Sequence, residues 1–337
     1  MTEAPGYDVS VVIPSQDRRE MLERCLGELA HQDVAPGAFE VIVVDDGSSD
    51  GAPEMVEALE TPYELRLLRR DRGGPAAARN AGIEASAGRI CLLIDNDIVA
   101  SPHLVAAHLE GHARHERALG VGPLTQIPPR ARDWFAHTFA AEWNKHYDDL
   151  GGRPATWMDC YGGNFSAPRA ALVENGGYDT DQVAAADVEL PYRLWRAGFV
   201  PQLFPDADAV HDDQKRASRI LKDSARRGNA YLQFAERHPG AEPDLLGAFQ
   251  VDGSGEVAVR RILISLRVPP RLLVALGRLV PGRENKVFLH HAIQRYAFWL
   301  SVRRAVDGER WRELTRGSLS KGAPAQVDGV APKSRAQ

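Results

Sequence analysis

Cysteine is scarce in this chain: Cys25, Cys91 and Cys160 are the only three in 337 residues. They are too few and too widely spaced for a disulfide framework or a cysteine metal site. No run of 18 or more apolar residues occurs, which excludes a hydrophobic transmembrane helix. The first eight residues have neither the basic nor the apolar part of a secretory signal, so the cytoplasm is the expected compartment. A basic excess is also missing. Lys and Arg number 41 against 46 Asp and Glu, a net charge of −5 without the footprint of a nucleic-acid binder. Neither G-x-G-x-x-G nor G-x-x-x-x-G-K-[ST] appears in the first strand-to-helix turn, so a Rossmann dinucleotide site and a P-loop are unsupported.

What is present is an alternation of short apolar runs and helical spacings. Val9–Pro14, Phe39–Val44, Glu64–Leu68 and Ile90–Ile94 read as strands. Between them lie helix patterns from Arg18, around Met55, Val56 and Leu59, and over Ala76–Ala85 after Gly73-Gly74-Pro75. Strands separated by helices of this length indicate a mostly parallel sheet with right-handed crossovers. Further strands are expected at Leu119–Val121, Cys160–Ala167 and Phe199–Phe204, with helices over Asp187–Ala197 and 213–238 and a loop at 239–256. Aromatics concentrate between 128 and 158, where packing into a core is the preferred reading over a ligand-facing lid. His103, His108, His112 and His115 share one helix without acidic partners, so a solvated face is expected there.

Asp95-Asn96-Asp97 ends the apolar run Ile90–Ile94. Carboxyl ends of strands face the crevice where open α/β sheets bind ligands. Strand alternation turns Asp95 and Asp97 to one side, and two hard oxygen donors suit a divalent cation that also holds a diphosphate. Pro14-Ser15-Gln16-Asp17 and Asp45-Asp46 would end neighbouring strands on the same edge. So many carboxylates repel one another unless a cation or hydrogen-bond donors compensate them.

In this order, Val9–Ser15, Val41–Asp50, Ala78-Arg79-Asn80-Ala81-Gly82 and Leu93–Asp97 resemble the signatures of family 2 glycosyltransferases. The resemblance continues through Gly162–Phe165, Gly176–Asp179 and Asp187-Val188-Glu189-Leu190, and spans roughly residues 8–212. It implies a GT-A type α/β fold with a mostly parallel central sheet flanked by helices. It also implies a nucleotide-sugar donor, Mg²⁺ or Mn²⁺, and inversion at the anomeric carbon.

Carried over residue by residue, the resemblance places Asp46 against the base, most naturally uracil N3–H, with Pro14, Ser15 and Asp17 beside the nucleotide. Arg79 would hold the base or balance the carboxylates of Asp45 and Asp46. Asp95 and Asn96 fall on the donor side, Asp95 near the ribose or the metal. Asp97 and His211 would hold the metal. Asp187 would be the base that takes the acceptor proton, with Glu189 as a fallback that points elsewhere along the helix. Ala186 stands where the family usually has an acid, which bears on how the acceptor is positioned.

The expected activity is transfer of one hexose from a nucleotide sugar, UDP-sugar favoured, to a glycan, lipid-linked or small-molecule acceptor. The Gln-x-x-Arg-Trp motif of processive synthases is missing. A non-catalytic nucleotide-sugar binding protein and a nucleotidyltransferase are the alternatives; the latter lacks its Gly-rich basic first loop. The expected organisation is a catalytic domain over 1–215, a C-terminal helical extension over 216–316, and a disordered tail over 317–337. Val259 to Arg312 carries twelve Arg or Lys against three Asp or Glu, interleaved with large apolar residues. Two readings are open for it: a peripheral contact with anionic lipid at the inner membrane face, or a helical subdomain or homodimer surface with a solvated Arg face.

Overall fold

The computed structural model describes residues 6–181, 185–247 and 254–316. Its strands are β1 (Val9–Ser15), β2 (Phe39–Asp45), β3 (Glu64–Arg69), β4 (Ile90–Ile94), β5 (Ile98–Ala100), β6 (Ala118–Val121), β7 (Leu124–Gln126), β8 (Asn164–Pro168), β9 (Val200–Leu203) and β10 (Ala209–His211). Seven of them form one sheet in the order β3-β2-β1-β4-β8-β6-β9. β1 to β4 run parallel, β6 runs parallel to β9, and β8 is antiparallel to both β4 and β6. A small second sheet, β5-β10-β7, brings His211 opposite Ile98.

The continuous apolar character of β1, β2 and β4 follows from helices covering both faces. Helix Arg19–Leu29 inserts Leu22, Cys25, Leu26 and Leu29 into the main core. Helix Pro75–Ala85, which starts on Pro75 after Gly74, closes on Ile42 and Val44 through Ala78. β3 lies on the sheet edge and is only half-buried, which is why Arg66 and Arg69 are tolerated there.

Three local expectations need correction. The strand expected from Cys160 begins only at Asn164, because Trp157–Asp159 winds into a 3₁₀ turn and Gly162-Gly163 forms a turn after it. The Asp159 carboxylate caps that turn, accepting 2.8 Å hydrogen bonds from the Thr156 amide and hydroxyl. The loop expected at 239–256 contains helix Glu242–Gly247, and helix Ser254–Ser265 begins within it; residues 248–253 lie outside the described residues. The expected solvated histidine face also fails, since His108 and His112 are fully buried.

Beyond β10 the chain is helical. Ala217–Arg237 and Arg283–Ala305 pack along each other over Tyr231, Phe234, Tyr296, Phe298 and Trp299. The aromatic stretch forms helix Trp134–Leu150, whose Phe135 joins Ile220, Leu221, Ile293 and Ala297 in a separate small core. The expected tail, 317–337, lies outside the described residues.

Candidate active site

The loop after β2 is a knot of side chain to backbone hydrogen bonds. Asp45 accepts from the Ser48 amide at 3.2 Å. Asp50 accepts from the Ala52 amide at 3.1 Å and from the Arg19 amide at 2.8 Å, so one carboxylate caps the starts of two helices. Asp17, in a left-handed conformation (φ 50°), accepts from the Ser49 amide at 2.8 Å, and its own amide donates to Ser48 Oγ at 3.0 Å. The Ser49 amide holds the Asp17 carboxyl below the usual range. Asp46 is buried: Oδ1 accepts from Arg70 and from the Gly73 amide, both at 2.9 Å, and Oδ2 from the Gly74 amide at 2.7 Å. Asp46 therefore fixes the turn that launches the helix carrying Arg79.

The second group converges from β4, β10 and two helices. Asp95-Asn96-Asp97 is a turn between β4 and β5, not a strand end with alternating side chains. Asn96 donates to Ser15 Oγ at 2.9 Å, tying the turn to β1 beside Pro14. With Asn96 fixed, Asp95 and Asp97 reach the same place as His211, and one donor atom from each lies within 4.8 Å of the others. Arg79, buried, donates to Asp95 at 2.6 Å, reaches Asp187 at 3.4 Å and lies 5.6 Å from the Tyr178 ring. At Gly162 a Cβ would sit 2.7 Å from Asp187 Oδ1, so any side chain there would displace that carboxylate. The missing side chain is what lets the 161–163 turn approach the carboxylate.

Burial pushes the Asp95 carboxyl up, only partly offset by Arg79. For Asp97, burial also pushes upward, but His211 and Arg18 outweigh it and hold the carboxyl low. Burial opposes the charged form of His211, while Asp97 and then Asp95 more than reverse this and raise it. Asp97 Oδ1 is 2.9 Å from His211 Nε2, yet no donor is directed along its lone pairs. An orphaned carboxylate oxygen facing an imidazole nitrogen and a second carboxylate is a donor set that fits a divalent cation.

A cavity of about 160 Å³ opens beside this group, lined by Asp95, Gly162, Gly163, Asp187 and His211 from the sheet side. Phe139, Trp143, Tyr161, Lys215, Arg227 and Gln294 supply its other walls. The structure thus brings Arg79, Asp95, Asp97, Asp187 and His211 together, with Asn96 and Ser15 behind them. Asp17 and Asp46 sit in the adjoining loop knot and do not line this cavity. Glu189 is buried against Arg193 at 2.5 Å and His238 at 3.3 Å, away from it. Ala186 is packed in the main core.

Sequence reasoning missed Arg18, which donates to Asp97, and Gln126, whose Nε2 lies 3.4 Å from His211 Nδ1. It also missed Lys215, Arg227 and Gln294, which no local motif marks; only the packing of the C-terminal helices brings them to the cavity.

The architecture is that of GT-A glycosyltransferases. A mannosyltransferase from Pyrobaculum calidifontis, solved with GDP-Man and Mn²⁺, superimposes with a TM-score of 0.62 at 20% identity, over 89% of this chain and 88% of that one. Staphylococcus aureus TarS 1–349, solved with UDP-GlcNAc, gives 0.55 at 18% identity over 88% and 92%. The model of Glycosyl transferase family 2 matches residues 10–175. The uncharacterized glycosyltransferase YfnE of Bacillus subtilis is 34% identical over 272 residues, covering 66% of this chain and 69% of that protein. Validoxylamine A glucosyltransferase of Streptomyces hygroscopicus subsp. limoneus is 28% identical over 288 residues, 75% of this chain but only 62% of its own length. The chain belongs to glycosyl transferase family 2.

Proposed function

We propose that this protein is a metal-dependent, inverting glycosyltransferase that moves one hexose from a nucleoside-diphosphate sugar to an acceptor hydroxyl. The observation that carries this reading is the convergence of Asp95, Asp97 and His211 next to an accessible Asp187 at the mouth of one cavity. Asp97 and His211, with Asp95 beside them, would hold Mg²⁺ or Mn²⁺. When bound there, the cation supplies Lewis-acid neutralisation of the departing diphosphate. The Mn²⁺ bound by the Pyrobaculum calidifontis mannosyltransferase supports that choice of ion.

Asp187 is the group that takes the acceptor proton. Its side chain is 48% exposed, so it can meet an incoming hydroxyl. Arg79 orients it from one side while holding Asp95 on the other, so one guanidinium sets the spacing between the donor and acceptor halves. With Ala186 in the core, the residue before the base supplies no acid, and acceptor positioning passes to the walls formed by Trp143, Tyr161 and Arg227.

A UDP-sugar is the favoured donor. Asp46 accepts three hydrogen bonds, and a carboxylate has about four lone-pair sites, which leaves one for a base N3–H. The UDP-GlcNAc bound by TarS agrees with that preference. Pro14, Ser15 and Asp17 flank the nucleotide in this arrangement. The acceptor belongs to the glycan, lipid-linked or small-molecule glycoside classes.

The test is nucleoside diphosphate release from a panel of UDP-, dTDP- and GDP-sugars, with Mn²⁺ or with chelator. Release with a UDP-sugar only in the presence of metal is expected. Metal-independent release would overturn the cofactor assignment. Asp187→Asn should lower turnover at least ~10²-fold while leaving UDP affinity unchanged; unchanged turnover would remove Asp187 from the mechanism.

A further inference from the structure

The catalytic cavity leaves one region of the C-terminal helices without a role. Between Glu256 and Glu284 the sequence has six Arg and no Asp, Glu or Lys. The structure folds this stretch into helices Ser254–Ser265 and Pro270–Gly277, joined by a turn at Arg267. Their inner faces are accounted for. Ile264 and Val274 are buried, and Leu263 and Leu273 pack partly against the helical cores.

Their outer faces are apolar as well. Val259 and Ile262 stand out on the first helix, and Leu266 follows at helical spacing just past its end. Leu272, Leu276 and Leu279 do so on and just past the second, with Leu266 70% and Leu279 82% exposed. Exposed Arg261, Arg267, Arg271 and Arg278 are interleaved with them. Beside this face lies a cavity of about 670 Å³ lined by Arg261, Arg267, Arg303 and Arg304 around Leu300 and Trp311, with no carboxylate in its wall.

We propose that this face docks on the surface of an anionic phospholipid bilayer, with the leucines entering the acyl boundary and the arginine-lined cavity taking a lipid headgroup phosphate. Two observations select a bilayer over other occupants. Burying six or more exposed aliphatic side chains is favourable only against an apolar surface, and a bilayer meets both helices at once. Charge decides the rest. A second copy of the same face would set arginine against arginine, whereas anionic headgroups attract each Arg by about 1 kcal/mol. Arginine stems lie along apolar surface while their guanidinium groups reach phosphate, so the interleaving suits an interface between oil and charge.

The arrangement also bears on catalysis. Helix Arg283–Ala305 contributes Leu300 and Arg304 to the basic cavity and Gln294 to the catalytic cavity. Docking would therefore hold the acceptor-side wall close to the membrane surface, where a lipid-linked acceptor resides.

The test is flotation of the full chain with vesicles of phosphatidylcholine alone or phosphatidylcholine mixed with phosphatidylglycerol. Binding is expected to the anionic vesicles only, and to be lost in about 1 M salt, where the Debye length is about 3 Å. Leu276→Glu with Leu279→Glu should weaken binding at least ~10-fold, since burying one leucine is worth ~1.5–3 kcal/mol. Arg267→Gly gives a second variant that should fold at least as well, because Arg267 occupies a left-handed position (φ 52°) that glycine prefers. It should cut vesicle affinity about 5-fold, as expected for ~1 kcal/mol per basic residue. Metal-dependent donor hydrolysis is expected to be unchanged in all these variants, so failure here is separable from failure of the catalytic reading. Failure to float, equal binding to neutral vesicles, or inhibition of flotation by free inorganic phosphate alone would overturn the proposal. So would a dimer in light scattering that the leucine variants dissolve.

Discussion

Arg79 is the residue on which the candidate site turns. Taking a guanidinium out of water is costly, and only its two carboxylate partners make this one tolerable. Asp187 and Asp95 raise its pKa further above an already basic range, against the effect of burial. Removing one partner of a fully buried pair typically costs ~3–5 kcal/mol. Asp95 is one-third exposed and Asp187 nearly half, so solvent screens part of that loss. Arg79→Met is therefore expected to destabilise the fold by about 2 kcal/mol and to abolish transfer, with urea unfolding and a donor assay as the measurements. A stable variant with normal turnover would show that Arg79 does not set the geometry of Asp95 and Asp187.

At the scale of elements, helix Leu104–Arg114 is attached to β8 by a chain of polar groups that only neutral histidines can complete. Asn164 spends its Nδ2 on the carbonyls of Ala207 and Pro123, so its Oδ1 must accept, and His108 Nε2 carries the proton that reaches it at 2.9 Å. His108 Nδ1 then accepts from Ser166 Oγ at 2.8 Å, and Ser166 Oγ accepts from His112 Nε2 at 2.8 Å. Burial holds both imidazoles well below their usual value, His108 to about 4 and His112 to about 3.

A histidine lowered in the folded state binds its proton first in the unfolded chain. Stability is therefore full above pH ~6.5 and falls as pH drops toward 4, by up to about 1.4 kcal/mol per pH unit for each histidine. The urea midpoint is expected to decrease steeply between pH 6.5 and 4.5, and His112→Gln to flatten that slope. An unchanged slope would mean that His112 is not buried in neutral form.

For the whole molecule, the decisive contact is between the two long C-terminal helices. Gly228 on Ala217–Arg237 meets the backbone of Arg283–Ala305 directly; a Cβ there would lie 2.6 Å from the Phe298 carbonyl oxygen. Backbone cannot give way as a flexible side chain can, so Gly228→Ala must push the helices apart. A cost of ~1–3 kcal/mol is expected, as for other overpacked sites. Thermal unfolding followed by tryptophan emission should register it, because Trp299 lies in the affected core. The seven-stranded sheet shares no core with that contact, so it should retain its circular dichroism under conditions where the helical layer loosens.

The sequence by itself determined the sheet and the identity of the carboxylates. Strands buried on both faces are written as nearly continuous apolar runs, broken in β1 and β2 only near the start by Ser10 and Glu40, which bond each other at 2.6 Å, so β1, β2 and β4 were legible to within a residue or two. The ordered motifs after their ends named Asp46, Asp95 and Asp97, and a helical motif further along named Asp187. Local signals misled where tertiary contacts override them. His108 and His112 look polar and solvated along the helix, yet Asn164 and Ser166, more than fifty residues away, bond both ring nitrogens of His108 and Nε2 of His112 in the core. Asp95 and Asp97 converge for a different reason than expected. No strand alternation aligns them; Asn96 is held by Ser15 and turns the backbone between them. Lys215, Arg227 and Gln294 carry no local pattern at all. Their place at the cavity, and the exposure of leucine between arginines on the outer helices, depend on which helix faces pack inward. Spacing shows that a helix has apolar positions on both sides, but only the packed chain decides which of them remain outside.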